Sequence, residues 1–340
     1  MANGYSSQAG HVIFRTQSAQ GTLAADLATA GVAMKLTGGS LGPSRTLMVP
    51  TPEIGGSRDI PDAYLGPAIW EGQYSFYTRI NSFLTLLAAA LGVVGTPATT
   101  TGVTTQTITP SDGAALPFLS IEESIGAGLE TFDYTDGVVN NLHLEASADG
   151  YLMGNADIIA IKQVAGVTPT DPTNLYDNGF LTVGTNITLT YNGVTIPVKN
   201  YKLDIKNNFE NNDYRMGSFY VGSLVPKRRD VTGSFLFRPA DSALFKQAVY
   251  GASTATQAGG LTTKQQMVIT MTTYESIPGG TPTTSYSLTL TLPKVAFLPF
   301  SFAPSGDNII DTDISFQALR PANATKLITA VAKTDLLLIA

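Results

Sequence analysis

Trp70-Glu71-Gly72-Gln73-Tyr74-Ser75-Phe76-Tyr77 reads as a strand, with Trp70, Tyr74 and Phe76 on one face and a glycine inside it. The stretch Val231-Thr232-Gly233-Ser234-Phe235-Leu236-Phe237 repeats that design about 160 residues later. Each is followed by an apolar helix that ends at a glycine, Gly92 in the first case and Gly251 in the second. Each is preceded by a short strand opening on Gly-Val, at Gly31-Val32 and at Gly193-Val194, and then by a long loop. A glycine inside a strand marks a close backbone approach, so its recurrence is a structural demand met twice.

The matches keep their order along the chain. Gly31 pairs with Gly193, Gly72 with Gly233, Gly92 with Gly251, Ser124 with Ser276 and Asp157 with Asp313, at offsets of 162, 161, 159, 152 and 156. Such a small drift fits one tandem duplication with later loop insertions. The largest step falls where the first half holds the Thr-rich stretch 96–117. The expected organisation is a first domain at 1–166, a linker at 167–180 and a second domain at 181–340. The linker carries Pro and Thr without periodicity. Two similar modules in one chain suit pseudo-equivalent places in a ring.

Composition narrows the function. Of 340 residues, 43% are hydrophobic and only 14% are charged, against about 25% in typical soluble domains. A lightly charged surface suits one covered by neighbours. Cysteine is absent, which excludes disulfides, thiolate metal sites and cysteine nucleophiles. The first ten residues lack a secretory signal pattern, and the longest nearly apolar run, 83–94, is too short to span a bilayer. Net charge is −6, split as −8 over residues 1–165 and +2 over 166–340. That balance opposes general DNA binding, which needs Lys and Arg to neutralise phosphates.

The rest of the chain reads as mainly β. Strands are expected near residues 11–15, 118–121, 138–145, 151–161, 267–273, 285–292, 295–302 and 310–318. Asn192-Gly193 between residues 187–191 and 194–198 predicts a type I′ hairpin. Asn81 or Ser82 is the expected cap of the first helix, with a stripe of Phe83, Leu84, Leu87, Ala88 and Leu91. Pro239 is expected in the first turn of the second helix. Residues 38–66 and 207–226 are long loops, and loops of this length are usually functional.

Catalytic chemistry finds little support. The only histidines are His11 and His143, and the alternation Leu142-His143-Leu144 turns His143 toward solvent or an interface. No metalloprotease, nucleophile-elbow or phosphate-loop motif is present. Asp307, Asn308, Asp311 and Asp313 could offer calcium oxygens, but they fit no EF-hand spacing, and an acidic turn and edge strand explains them better. Glu122 and Glu123 fall on opposite faces of a strand, which is poor geometry for acid–base work. Lys227-Arg228-Arg229 is the only tight basic run; followed by Asp230, it suits an ion pair at a subunit contact or a solvated loop end.

These features together resemble the tail tube proteins of long-tailed bacteriophages. The likeness to two-domain members is carried by Asn207-Asn208-Phe209-Glu210, Tyr214-Arg215-Met216-Gly217 and Lys227-Arg228-Arg229-Asp230-Val231. The resemblance implies tandem β-sandwiches, each with one flanking helix and a long early loop, and six modules per ring with their inner sheets joined in a β-barrel. A duplicated chain would then need three copies. It also implies a structural virion protein, not an enzyme, without cofactor or metal, made and assembled in the host cytoplasm. The expected partners are further copies, the tape measure protein, the tail terminator and distal tail proteins. Double-stranded DNA would pass through the lumen without specific binding. Matched by position, the loops that reach neighbours carry Arg45, Arg58, Asp59, Asp213, Arg215, Lys227, Arg228 and Arg229. The first half departs from the second by holding Pro67-Ala68-Ile69 in place of the basic triplet. The apolar run Leu336-Leu337-Leu338-Ile339 would be a liability unless packed. The alternatives are another β-rich virion part, such as a decoration or baseplate protein, and a β-sandwich enzyme, which would need a pair of carboxylates in a cleft.

Overall fold

The computed structural model describes residues 6–335 apart from 57, 61, 114, 127–128, 178, 261, 281, 303–308 and 323–325. Asp307, Asn308 and the 336–339 run lie outside the described residues. The chain is mainly β. Its first part holds β1 (His11–Thr16), the one-turn α1 (Leu27–Ala30), β2 (Val32–Met34), β3 (Leu36–Ser44), β4 (Leu47–Met48), β5 (Tyr64–Leu65) and β6 (Ile69–Tyr77). Then follow α2 (Ile80–Leu91), β7 (Gly92–Val94), β8 (Ala98–Thr100), β9 (Val103–Pro110), β10 (Leu119–Ile125), β11 (Glu130–Ser147), β12 (Met153–Ala160) and β13 (Lys162–Ala165). These strands pair in the order β2-β1-β10-β11-β12-β6-β3, all antiparallel.

The later part repeats this. It holds β14 (Ile187–Tyr191), β15 (Val194–Ile196), β16 (Val198–Lys206), β17 (Phe209–Glu210), β18 (Val225–Pro226), β19 (Asp230–Phe237), α3 (Ala243–Tyr250), β20 (Gln265–Ser276), β21 (Ser285–Phe297), β22 (Thr312–Ala318) and β23 (Thr329–Thr334). Its order is β15-β14-β20-β21-β22-β19-β16, strand for strand that of the first part. β13 adds to the N-terminal part of β11 as β23 adds to that of β21.

Each glycine of the opening motif has its reason. A Cβ on Gly72 would run into the Ser40 carbonyl of β3, and one on Gly233 into the Lys202 carbonyl of β16 and the Phe316 ring. Gly92 and Gly251 close their helices in the left-handed conformation, at φ 102° and 93°. Asn192 and Gly193 both take positive φ, as a type I′ turn requires.

β11 is 18 residues long, shifts register between Val139 and Asn141, and serves two layers of the sandwich. Val12, Phe14, Leu119 and Ile121 of one layer face Tyr74, Phe76, Leu142 and Ile158 of the other, all buried, with Phe14 edge-on to Tyr74 at 5.6 Å. Glu123 is buried in this core. Burial pushes its carboxyl up, against the Leu41 N–H and Tyr74 hydroxyl that donate to it at 3.3 and 3.1 Å. Glu122 points to the opposite face, where His11 and Thr170 bind it.

Several sequence expectations need correction. The α2 stripe is wider than periodicity indicates, because every residue of the helix except Ala88 is buried. The Thr-rich segment explains this: β9 leaves the first part and pairs with β23, so strands of both parts surround the helix. Neither Asn81 nor Ser82 caps α2. Instead the Asp177 carboxylate, from the 167–180 segment, accepts the Ser82 N–H at 2.8 Å. That segment is therefore docked, and Leu175 and Tyr176 also pack on Ile13, Leu27 and Ala33. α3 starts at Ala243, four residues beyond Pro239.

Two of the five proposed residue pairs slip. With Gly72 matched to Gly233, the ladders place Asp157 opposite Gln73 and Ser315 opposite Ser234, so Asp157 corresponds to Ser315 and not to Asp313. Likewise Ser124 corresponds to Thr270, since Ile121 and Met267 hold equivalent places opposite Phe14 and Tyr191.

Candidate assembly surfaces

The two parts are joined edge to edge. The C-terminal stretch of β11 pairs with β16 from Asn141↔Lys206 to Ser147↔Asn200. One eight-stranded layer results, ordered β3-β6-β12-β11-β16-β19-β22-β21. Strand alternation buries one face of it in the sandwiches and leaves the other polar. The polar face carries Ser40, Gln73, Ser75, Asn155, Asn141, Thr232, Ser234 and Ser315. Its charges on β6, β12, β11, β16, β19 and β22 are Glu71, Asp157, Glu145, Asp204, Asp230 and Asp313 against Lys202 and Lys206. The face is net acidic.

At the junction His143 sits opposite Asp204, with their side chains 3.0 Å apart and Glu145 3.5 Å from the other ring nitrogen. The Asp204 hydrogen bond raises the His143 pKa, and the His143 hydrogen bond holds Asp204 below its ordinary value. Lys202 completes the group, 3.4 Å from Glu145. The alternation of Leu142, His143 and Leu144 leaves solvent or an interface for His143, and the structure places it at the junction between the two parts of the chain.

The second long loop, 207–226, folds back on the first part. Phe209, Val221 and Leu224 are buried against Ile69, Leu116, Val138, Ile159 and Ile161. Tyr220 lies over Trp70 at 6.1 Å, and the Lys162 ammonium lies 5.7 Å from the Tyr220 ring. At the loop's base, the buried Asn207 amide donates to the Ala90 and Val139 carbonyls at 3.0 and 2.9 Å. The first long loop behaves oppositely. It projects as an arm on the β4–β5 ladder, and Leu47, Met48, Ile54, Ile60, Tyr64 and Leu65 are all exposed.

The sequence-predicted contact residues fall into two groups. Arg45 donates to the Gly66 carbonyl at 2.9 Å and closes the arm's base, while Arg58 and Asp59 lie exposed along it. Asp213 and Arg215 pair with each other at 2.6 Å within the second loop. Lys227 pairs with Glu210 and Arg228 with Asp230, and both cations are exposed. Arg229 differs: it is half-buried and donates to Asn207 Oδ1 and to the Ser111 and Leu91 carbonyls, at 3.0, 3.3 and 3.4 Å. It closes the C-terminal end of α2 from the other half of the chain. Sequence reading missed Asn207 and Asp177, because one polar residue in a polar loop carries no sign of the distant carbonyl or N–H that it serves.

Among the described residues, no group of three His, Asp or Glu is placed to hold a metal ion. No helix among them is long and apolar enough to cross a membrane. Asp311 is occupied by Lys199 and by Arg238, the latter at 3.2 Å.

Compared with known proteins, residues 8–318 match the model of a family described as phage tail tube protein. No curated protein matches the chain.

Proposed function

Because the chain belongs to the phage tail tube protein family, a structural component of the virion tail that self-assembles into a tube with other tail proteins, we propose that three copies close one ring and that rings stack. The observation that carries this reading is the β11–β16 junction. It joins two like modules edge to edge, and the same join is available at both ends of the eight-stranded layer. At one end β3 pairs with β6 alone among the described residues. At the other, Leu298–Phe302 follows the end of β21 in the chain and holds the place of the part of β11 that receives β16. An exposed edge favours pairing with another chain, and closure into a barrel removes it. Three copies carrying domains at 1–166 and 181–340 then supply six modules.

In such a ring the polar face lines the lumen. Its excess of carboxylates repels phosphate, which suits passage of double-stranded DNA without specific binding. The tape measure protein would occupy that lumen during assembly, and the terminator and distal tail proteins would meet the two ends. The protein acts by assembling, in the host cytoplasm, and not as an enzyme. Electron microscopy of assembled tubes tests the reading. Three-fold rings with pseudo-six-fold appearance are expected; strict six-fold rings, or particles that never stack, would refute it.

A further inference from the structure

The two long loops are the same hairpin in two situations. Leu41 and Leu203 stand opposite Gly72 and Gly233 in equivalent ladders, which makes Arg45 the counterpart of Asn207 and Leu47 that of Phe209. The hairpin bases agree: Leu47 pairs with Leu65 as Phe209 pairs with Pro226. Yet Phe209 is 9% exposed and Leu47 is 61% exposed. The second hairpin has found its seat on the module that precedes it, and the first has none within its own chain.

The place corresponding to that seat can be located on the second half. Ladder positions carry Ile69 to Asp230, Val138 to Ala296, Ile159 to Gln317 and Lys162 to Arg320. A cavity of about 450 Å³ opens there, lined by Lys227, Arg228, Asp230, Gln317, Leu319 and Arg320. On the first half the equivalent space is covered: the Ala68 N–H donates to the Phe219 carbonyl at 2.8 Å and Tyr220 lies against Lys162. Charge also fits. The groove holds Lys227, Arg228, Arg229 and Arg320 against Asp112 and Asp230, while the arm holds Glu53, Asp59 and Asp62 against Arg45 and Arg58, so the two surfaces are of opposite net charge.

We infer that the arm of residues 45–66 seats in this basic groove on the second half of the neighbouring copy in the same ring. This rests on the ring reading above and adds the partner surface. The arm is thereby a lateral clasp that follows the β3 edge onto the preceding module. The cis hairpin also fixes which residues meet. The Phe209 N–H donates to the Asn140 side chain at 2.9 Å, and the counterpart of Asn140 is the exposed Leu298. Leu47 of one copy should therefore lie beside Leu298 of the next.

The chain has no cysteine, so site-directed cross-linking has no background. Full-length protein carrying Leu47→Cys and Leu298→Cys is assembled and oxidised, and denaturing gels are run beside electron microscopy of the same sample. The expected result is a cross-linked series that ends at the trimer, with either single variant uncross-linked. Three-fold rings without this cross-link, or cross-links that extend past the trimer into the next ring, would overturn the clasp and leave the ring standing. Assemblies lacking three-fold rings would remove both. A charge reversal, Arg320→Glu, should lower the assembled fraction several-fold while leaving the monomer's melting temperature unchanged, and Glu53→Lys in the same chain should recover part of the loss.

Discussion

Replacing Asn207 by leucine removes a bolt between the halves at nearly constant volume. The side chain is 1% exposed; it donates to the Ala90 and Val139 carbonyls and accepts from Arg229. Each of the three lost hydrogen bonds costs about 1 kcal/mol, giving about 3 kcal/mol in all. The unfolding entropy of a chain this long is about 0.7 kcal/mol/K when scaled per residue. The melting temperature should then fall by about 4 °C if the protein unfolds as one unit. Calorimetry on the unassembled chain measures this directly, and the calorimetric and van't Hoff enthalpies should agree in the wild type. A fall of less than about 1 °C would refute the role assigned to Asn207. A transition that splits in two would show that the substitution has uncoupled the halves.

Arg228 and Arg229 should separate cleanly. Arg229→Glu leaves the Leu91 and Ser111 carbonyls unserved and should lower thermal stability by about 2 kcal/mol, whereas Arg228→Glu should leave the melting temperature alone and reduce assembly, read by light scattering. Gly233→Ala forces a Cβ against the Lys202 carbonyl and Phe316, and should yield mostly insoluble chain in an expression assay. His143 supplies a pH test. Its folded pKa is raised, so its contribution is complete below its unfolded value near 6.5 and is lost as pH rises through the folded value. Asp204 is lowered, so its share is lost only as pH falls through its folded value, beneath the usual carboxylate range. The melting-temperature gap between wild type and His143→Gln should therefore narrow as pH rises above 6.5; a gap that widens would contradict the assignment. Asp133, half-buried beside Glu122, has its carboxyl pushed up to about 6 by that burial. Asp133→Asn should stabilise the protein at neutral pH and lose that advantage between about pH 6 and pH 4, checked by melting curves across that range.

What could be read from the chain was what the backbone insists upon. Gly72 and Gly233 pass too close to a neighbouring carbonyl for any side chain, and Gly92 and Gly251 turn where other residues resist. Such demands leave fixed letters, and they exposed the repeat. The pairing of Asp157 with Asp313 failed for the converse reason. A strand pattern of period two looks the same after a shift of two residues, so only the ladder decides the register. The burial of α2 was hidden because what covers it comes from β9 and β23, more than 200 residues apart. The first hairpin's exposure and the second's burial were equally invisible, since Leu47 and Phe209 are both plain apolar letters. The basic run was visible, but its division of labour was not: Arg229 serves the chain's own helix, and Lys227 and Arg228 face outward.

The β9–β23 ladder also sets a schedule. One edge of Thr104–Ile108 must wait for Ala330–Thr334, whereas its other edge already pairs with β7 and β8. A nascent chain holding only its first half has β9 paired on one edge alone and one side of α2 bare, and contacts so distant in sequence form slowly. Synthesis thus leaves one side of α2 uncovered until β23 has been made. A subunit that self-assembles is thereby completed late, by the order in which its own strands arrive.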